Sequence, residues 1–200
     1  DGPMNLYQSI ALAANEQAKG KGVMVVFSDG IYGGRDVQKI STCQTDAFDS
    51  KDFGGMGYMV DGVPYFYNDS VKCHTTETEF DVSSLKELPK VGVAYFTIDA
   101  DPEILDYYKE SGVQGIVIAG AGSGCYSEQW NNKIDELAET GIPVVRCSRI
   151  GSGVITQDDY FIGNIARGND LAPQKAATLL RLILTVTNDI EQVQNMFDKY

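Results

Sequence analysis

Val91-Gly92-Val93-Ala94-Tyr95-Phe96-Thr97-Ile98, Gly115-Ile116-Val117-Ile118-Ala119 and Pro143-Val144-Val145-Arg146-Cys147 are three short, largely apolar runs whose spacing decides the fold. Runs of this length read as strands buried on both faces. Between them, residues 102–110 and 127–139 read as helices. A strand followed by a helix and then another strand implies right-handed crossovers and a parallel sheet. Residues 173–187 and 189–197 are amphipathic and close the domain as two further helices.

Upstream of this block the character changes. Residues 68–89 are dominated by polar and charged side chains, including Thr75-Thr76-Glu77-Thr78-Glu79, and read as a linker between domains. Before it, residues 58–67 read as a hairpin turning at Asp61-Gly62. Residues 23–27 are a continuous apolar run, expected as a buried strand, and Ser28-Asp29-Gly30 follows as a turn. Leu6, Ile10, Ala13 and Ala14 have helical spacing up to Gly20, with Asp1 as N-cap and Pro3 in the first turn.

The 200 residues carry a net charge of -12, with 43% apolar and 22% charged residues. An acidic balance without a lysine or arginine cluster argues against a nucleic-acid partner. No apolar stretch approaches the ~20 residues that would span a bilayer, so no membrane partner is expected. Four cysteines (Cys43, Cys73, Cys125 and Cys147) show no CxxC spacing, and His74 stands alone, so no metal is expected. Free thiols and a bridge between Cys125 and Cys147, which end neighbouring βα units, both remain open.

Several residues have the chemistry of a site, and each also has a plainer role. Lys39 closes the run Gly33-Gly34-Arg35-Asp36-Val37-Gln38-Lys39. A lysine on a strand-turn edge can relay protons, because its surroundings move its pKa readily, or it can be a solvated loop cation. Arg35 and Asp36 read as an ion pair that shapes this turn. Gly120-x-Gly122-x-Gly124 follows a strand and precedes a helix, as a dinucleotide loop does. It departs from the GxGxxG spacing and reads better as a tight βα turn. His74 has no neighbouring nucleophile motif and reads as structural. Tyr58, Tyr65, Phe66 and Tyr67 read as packing residues of a sheet edge.

A broader pattern joins these pieces. The runs Asp1-Gly2-Pro3-Met4-Asn5-Leu6, Gly34-Arg35-Asp36-Val37-Gln38-Lys39, Phe80-Asp81-Val82-Ser83, Leu88-Pro89-Lys90-Val91, Val144-Val145-Arg146-Cys147-Ser148-Arg149, Leu171-Ala172-Pro173-Gln174-Lys175-Ala176 and Met196-Phe197-Asp198-Lys199-Tyr200 fall in order along the chain. Together they resemble the bacterial type II L-asparaginases. The resemblance implies the end of a larger N-terminal α/β domain in residues 1–67, a linker in 68–89 and a smaller C-terminal α/β domain with a parallel sheet in 90–200. It implies an amidohydrolase that converts L-asparagine to L-aspartate and ammonia, with no cofactor, in a homotetramer. A periplasmic or secreted location is implied, with a cytoplasmic one as the alternative.

The resemblance gives Lys39 a catalytic role in the proton relay. It makes the Cys125 loop and the loop at Asp159 and Tyr160 contributors to substrate binding in a neighbouring subunit. The family places Asn or Ser where Cys125 stands, and a glutamate where Tyr160 stands; a one-residue slip would let Asp159 serve. The family's Thr-Gly-Gly-Thr and Gly-Thr-Asp-Thr motifs do not occur in these residues, and Thr45-Asp46 is preceded by Gln44 rather than Gly. The chain is therefore expected to be about the last three-fifths of such an enzyme, inactive alone, with the threonine nucleophile outside it. The alternatives are a glutaminase-asparaginase, an amidotransferase subunit, or a non-catalytic α/β ligand-binding module.

Overall fold

Residues 91–148 alternate strand and helix as their spacing demands. The computed structural model describes residues 2–50, 52–161 and 163–200. The expected N-cap Asp1 lies outside them. The chain divides into two compact units, Asp1–Thr78 and Glu79–Tyr200, and the division falls inside the polar segment 68–89.

The first unit opens with helix α1 (Gly2–Ala13), which stops well before Gly20. Asn15 then caps a short 3-10 helix, Glu16–Ala18, by accepting from the Gln17 amide. Leu6 and Ile10, whose spacing marks the helix, are 64% and 62% exposed, while Leu12 and Gln8 are buried. Asn5, Gln8 and Ser9 share the inward side with Leu12; Gln8 Nε2 donates to Asp29 Oδ1 at 2.6 Å and Asn5 Oδ1 accepts from the Ser28 amide at 3.1 Å, so polar partners rather than apolar spacing decide which face is covered.

Four strands follow: β1 (Met24–Phe27), β2 (Gly30–Gly33), then, after the two-residue strands β3 (Gln38–Lys39) and β4 (Phe48–Asp49), β5 (Gly57–Val60) and β6 (Val63–Phe66). The sheet order is β1-β2-β5-β6, antiparallel throughout. This corrects the expectation for residues 23–27. They form an edge strand of a hairpin in which only Val26 is buried, with Val23 71% exposed just before it. The turn explains it: Ser28 and Asp29 both take left-handed φ values of 46° and 63°, and join β1 to β2 in two residues. Such a turn suits the twist of paired strands. The expected hairpin at Asp61-Gly62 uses the same device, with φ of 50° and 77°.

The second unit is a three-layer sandwich. Strands β7 (Val91–Tyr95), β8 (Gly115–Gly120), β9 (Val144–Ser148) and β10 (Ile165–Arg167) lie parallel in the order β10-β9-β8-β7. Every residue of the central strand β8 is buried. Ile116 and Ile118 project to one side, where Leu105, Trp130 and Ile134 cover them from α2 (Ile104–Glu110) and α3 (Glu128–Ala138). Val117, from the opposite pleat, meets Leu180, Ile183, Val193 and Phe197 of α4 (Pro173–Ile183) and α5 (Ile190–Lys199). Ser127 and Asp189 cap α3 and α5 through the amides of Trp130 and Gln192.

Helix α4 ends at Ile183, four residues short of its expected end at 187, and other boundaries differ too. Strand β7 ends at Tyr95, and Ile98 is 88% exposed beyond it. Helix α2 starts only at Ile104, because the Asp101 carboxylate and Pro102 carbonyl first close a turn on Glu103 and Leu105. Strand β10 is an addition to the expected sheet; its three residues are too few to show a period.

Candidate active site

Lys39 follows a turn built by backbone hydrogen bonds. The amides of Asp36 and Val37 both donate to the Gly33 carbonyl, at 3.1 and 3.0 Å. Gly34 donates to the Val23 carbonyl at 2.8 Å, and a β-carbon on Gly34 would stand 3.1 Å from the same residue. The expected ion pair is present, with Arg35 Nη1 2.8 Å from Asp36 Oδ1. The chain then enters the β3–β4 ladder, where Lys39 faces Phe48 and the Ile40 amide donates to Ala47. Lys39 is exposed, and its ammonium lies 5.7 Å from the centre of the Phe48 ring. The Phe48 ring in turn packs on Phe27 at 4.8 Å. The amine is thus presented at the surface of its unit on a backbone fixed at both ends.

His74 lies apart from Lys39, at the N-cap of the short 3-10 helix Thr75–Glu77. Its Nδ1 lies 3.2 Å from Thr75 Oγ1, and the ring packs on Gly22, where a β-carbon would approach Nδ1 to 2.9 Å.

In the second unit two loops leave the carboxyl edge of the parallel sheet. The Gly120–Cys125 segment is a tight turn. Ala121 and Cys125 exchange both amide–carbonyl bonds, at 2.8 and 2.7 Å, and Gly122 and Gly124 have φ of 51° and 80°. A β-carbon on Gly120 would collide with the Gly124 backbone. This favours the βα-turn reading over a dinucleotide loop. Cys125 is exposed at its end.

The second loop runs through residues 150–161. Asp158 Oδ1 accepts from the Tyr160 amide at 2.9 Å, at the start of a 3-10 turn, Asp159–Phe161. Asp159 and Tyr160 are both exposed. A cleft of about 220 Å³ beside them is lined by Arg146, Asp158, Asp159, Phe161 and Arg167.

Between the loops lies Arg146 of β9, only 2% exposed. Its Nη1 donates to the Ser123 carbonyl and its Nη2 to the Thr156 carbonyl, both at 2.7 Å. Its guanidinium carbon sits 4.1 Å from the centre of the Phe161 ring, which packs edge-on against Tyr126. Burial pulls the Arg146 pKa down and pushes the Tyr126 hydroxyl up. Sequence reasoning placed Arg146 in a strand but gave it no role. The available signal was a permanent cation in a run that is otherwise Val, Val and Cys.

All four cysteines are free. Cys147 points away from Cys125 into the layer under α4, against Gly168, and burial pushes its thiol up to about 12. Among the described residues no group of three or more histidines, cysteines or carboxylates is placed to hold a metal ion. Nor is any described helix long and apolar enough to cross a membrane.

The fold and these segments define a two-unit α/β protein with a turn-borne lysine in one unit and a pair of clamped loops in the other. Residues 90–197 match the glutaminase/asparaginase C-terminal domain, residues 1–72 match the asparaginase N-terminal domain, and the chain belongs to this family. It is 40% identical over its whole length to L-asparaginase 2 of Bacillus subtilis, spanning 53% of that protein. It is equally 40% identical to the glutaminase-asparaginase of Acinetobacter glutaminasificans, spanning 62%. A crystal structure titled "Probable Cytoplasmic L-asparaginase" from Campylobacter jejuni covers all of this chain with a TM-score of 0.96 at 41% identity, and 66% of that protein is matched. The chain thus spans about half to two-thirds of these relatives. Their names include both compartments, a Haemophilus influenzae relative being called periplasmic.

Proposed function

We propose that the full-length protein carrying this chain hydrolyses L-asparagine to L-aspartate and ammonia. The observation that carries this reading is that both domains of the family match, with Lys39 on a rigid turn in the first. In the proposed reaction a threonine hydroxyl outside these 200 residues attacks the side-chain amide carbon. Its proton passes through the Lys39 amine toward the leaving nitrogen, the C–N bond breaks, and ammonia departs. Water then cleaves the resulting ester and restores the hydroxyl. No cofactor takes part in this scheme.

The loops at Cys125 and at Asp159 and Tyr160 contact the amino-acid end of the substrate in a neighbouring subunit of a homotetramer. A carboxylate at Asp159 can pair with the substrate ammonium; the Cys125 thiol is a poor hydrogen-bonding group there. A second reading, glutaminase-asparaginase activity, is favoured by the Acinetobacter relative, which is as similar as the Bacillus one. Both compartments suit the scheme.

Ammonia release from L-asparagine and L-glutamine by the full-length gene product, beside Lys39→Ala, tests the proposal. The variant should lose roughly 10²-fold or more in kcat, the scale of an acid–base group. Full activity in Lys39→Ala would remove the lysine from the mechanism, and no activity on either amide in the parent would favour a ligand-binding module.

A further inference from the structure

We infer that Arg146 is the positioning residue that holds the Cys125 loop and the Asp159–Tyr160 loop as one constellation, an inference that rests on the reading of both loops as substrate-facing. Its location is costly for a cation. Arg146 is 2% exposed in the middle of β9, among Val144, Val145 and Cys147, each fully buried. An aliphatic residue would extend that apolar run with no charge to desolvate. The guanidinium's two side-chain hydrogen bonds go to backbone carbonyls, and each carbonyl belongs to a different loop. Ser123 lies two residues before Cys125, and Thr156 lies three before Asp159.

A planar fork with two donors in fixed geometry sets the distance between the atoms that accept from it. Phe161 adds a second tie: it follows Tyr160, covers the guanidinium face, and reaches Tyr126, the residue after Cys125. Both candidate contact groups are therefore next to residues that touch the Arg146–Phe161 pair. Further bonds brace the first loop alone, from Ser148 Oγ to the Gly122 carbonyl at 2.5 Å and from the Arg149 amide to the Gly120 carbonyl at 2.9 Å. Arg146 and Phe161 couple it to the second. A lysine keeps the charge, but its three N–H donors radiate from one nitrogen without the planar spread of the fork, so the spacing between the two carbonyls is no longer fixed.

The test is Arg146→Lys in the full-length protein, read by amide hydrogen exchange and by steady-state kinetics on L-asparagine. Exchange should rise in residues 121–126 and 153–161 together, while β8 stays protected. KM should rise roughly tenfold, the low end for one hydrogen bond to a charged group, with kcat within about threefold, because the reacting atoms are untouched. Exchange that rises in one loop only, or an unchanged KM, overturns the inference. Should Arg146→Lys fail to fold, Phe161→Leu removes the second tie and leaves the fork. It should loosen both loops to a smaller extent, and independent loosening would count against the coupling. A parent protein that hydrolyses no amide refutes the proposed function instead, and the exchange data still decide whether the two loops are coupled.

Discussion

A single side chain, Arg146, shows how much one residue can organise when it has the right shape. Its fork reaches carbonyls 23 and 10 positions away in the chain, and its face takes an aromatic ring. Lys39 is the opposite case, an exposed amine whose orientation comes from the backbone ladder under it. Cys125 joins these two themes, since its position is set by a tight glycine turn but its thiol suits a polar contact poorly. Cys125→Asn in the full-length protein should therefore lower KM for L-asparagine roughly three- to tenfold, about the worth of one added hydrogen bond. A KM that stays the same or rises would separate this loop from the substrate. The turn that carries Lys39 was legible because its hydrogen bonds are local, and the contacts of Arg146 were not, because its partners are far away in the sequence.

Among the elements, helix α5 is specified from both ends of the argument. Its Asp189 side chain accepts from the Gln192 amide at 3.0 Å, and Val193 and Phe197, four apart, are fully buried against the sheet layer. Asp189→Ala should cost about 1 kcal/mol of stability, the usual loss for an N-cap, measured by denaturant unfolding beside the parent. A loss near zero would mean that burial of Val193 and Phe197 alone holds the first turn. Helix α1 contrasts with it. Its covered side carries Asn5, Gln8 and Ser9 beside Leu12, with Gln8 and Asn5 hydrogen-bonded to Asp29 and Ser28, so the apolar spacing at Leu6 and Ile10 marks the side left exposed. Strand β1 misled for a related reason: a continuous apolar run marks a strand, yet it cannot tell a central parallel strand from the edge of a hairpin. The left-handed pair Ser28 and Asp29 settled that question locally.

At the scale of the second unit, its first and last residues are joined. Lys199 Nζ lies 2.8 Å from Glu79 Oε2, Tyr200 donates its hydroxyl to the same carboxylate, and Phe80 stacks near the Tyr200 ring at 5.1 Å. Hydrogen bonds from Lys199 first, and Tyr200 next, hold the Glu79 carboxyl down to about 2 from its ordinary 4.5. A depressed acid favours the folded state while ionised, so this contribution is complete above pH 4.5 and is lost as pH falls toward 2. The difference in Tm between the parent and Glu79→Gln should accordingly narrow across that window. A difference independent of pH would mean that the carboxylate's charge plays no part in the closure. The clasp joins residues 120 apart, and nothing in the local text of either end announces the other. The same division runs through the whole chain. The alternation of apolar strands with amphipathic helices, the hairpin at Asp61-Gly62 and the lysine-bearing turn were determined by the sequence alone, because strand period, helix period and turn chemistry act over a few neighbouring residues. Which strand lay at an edge, where β10 joined the sheet, which face of α1 was covered, and that Arg146 holds two loops at once were decided only by tertiary structure. Those outcomes depend on contacts between residues remote in the chain, where burial and hydrogen-bond geometry outweigh local preference.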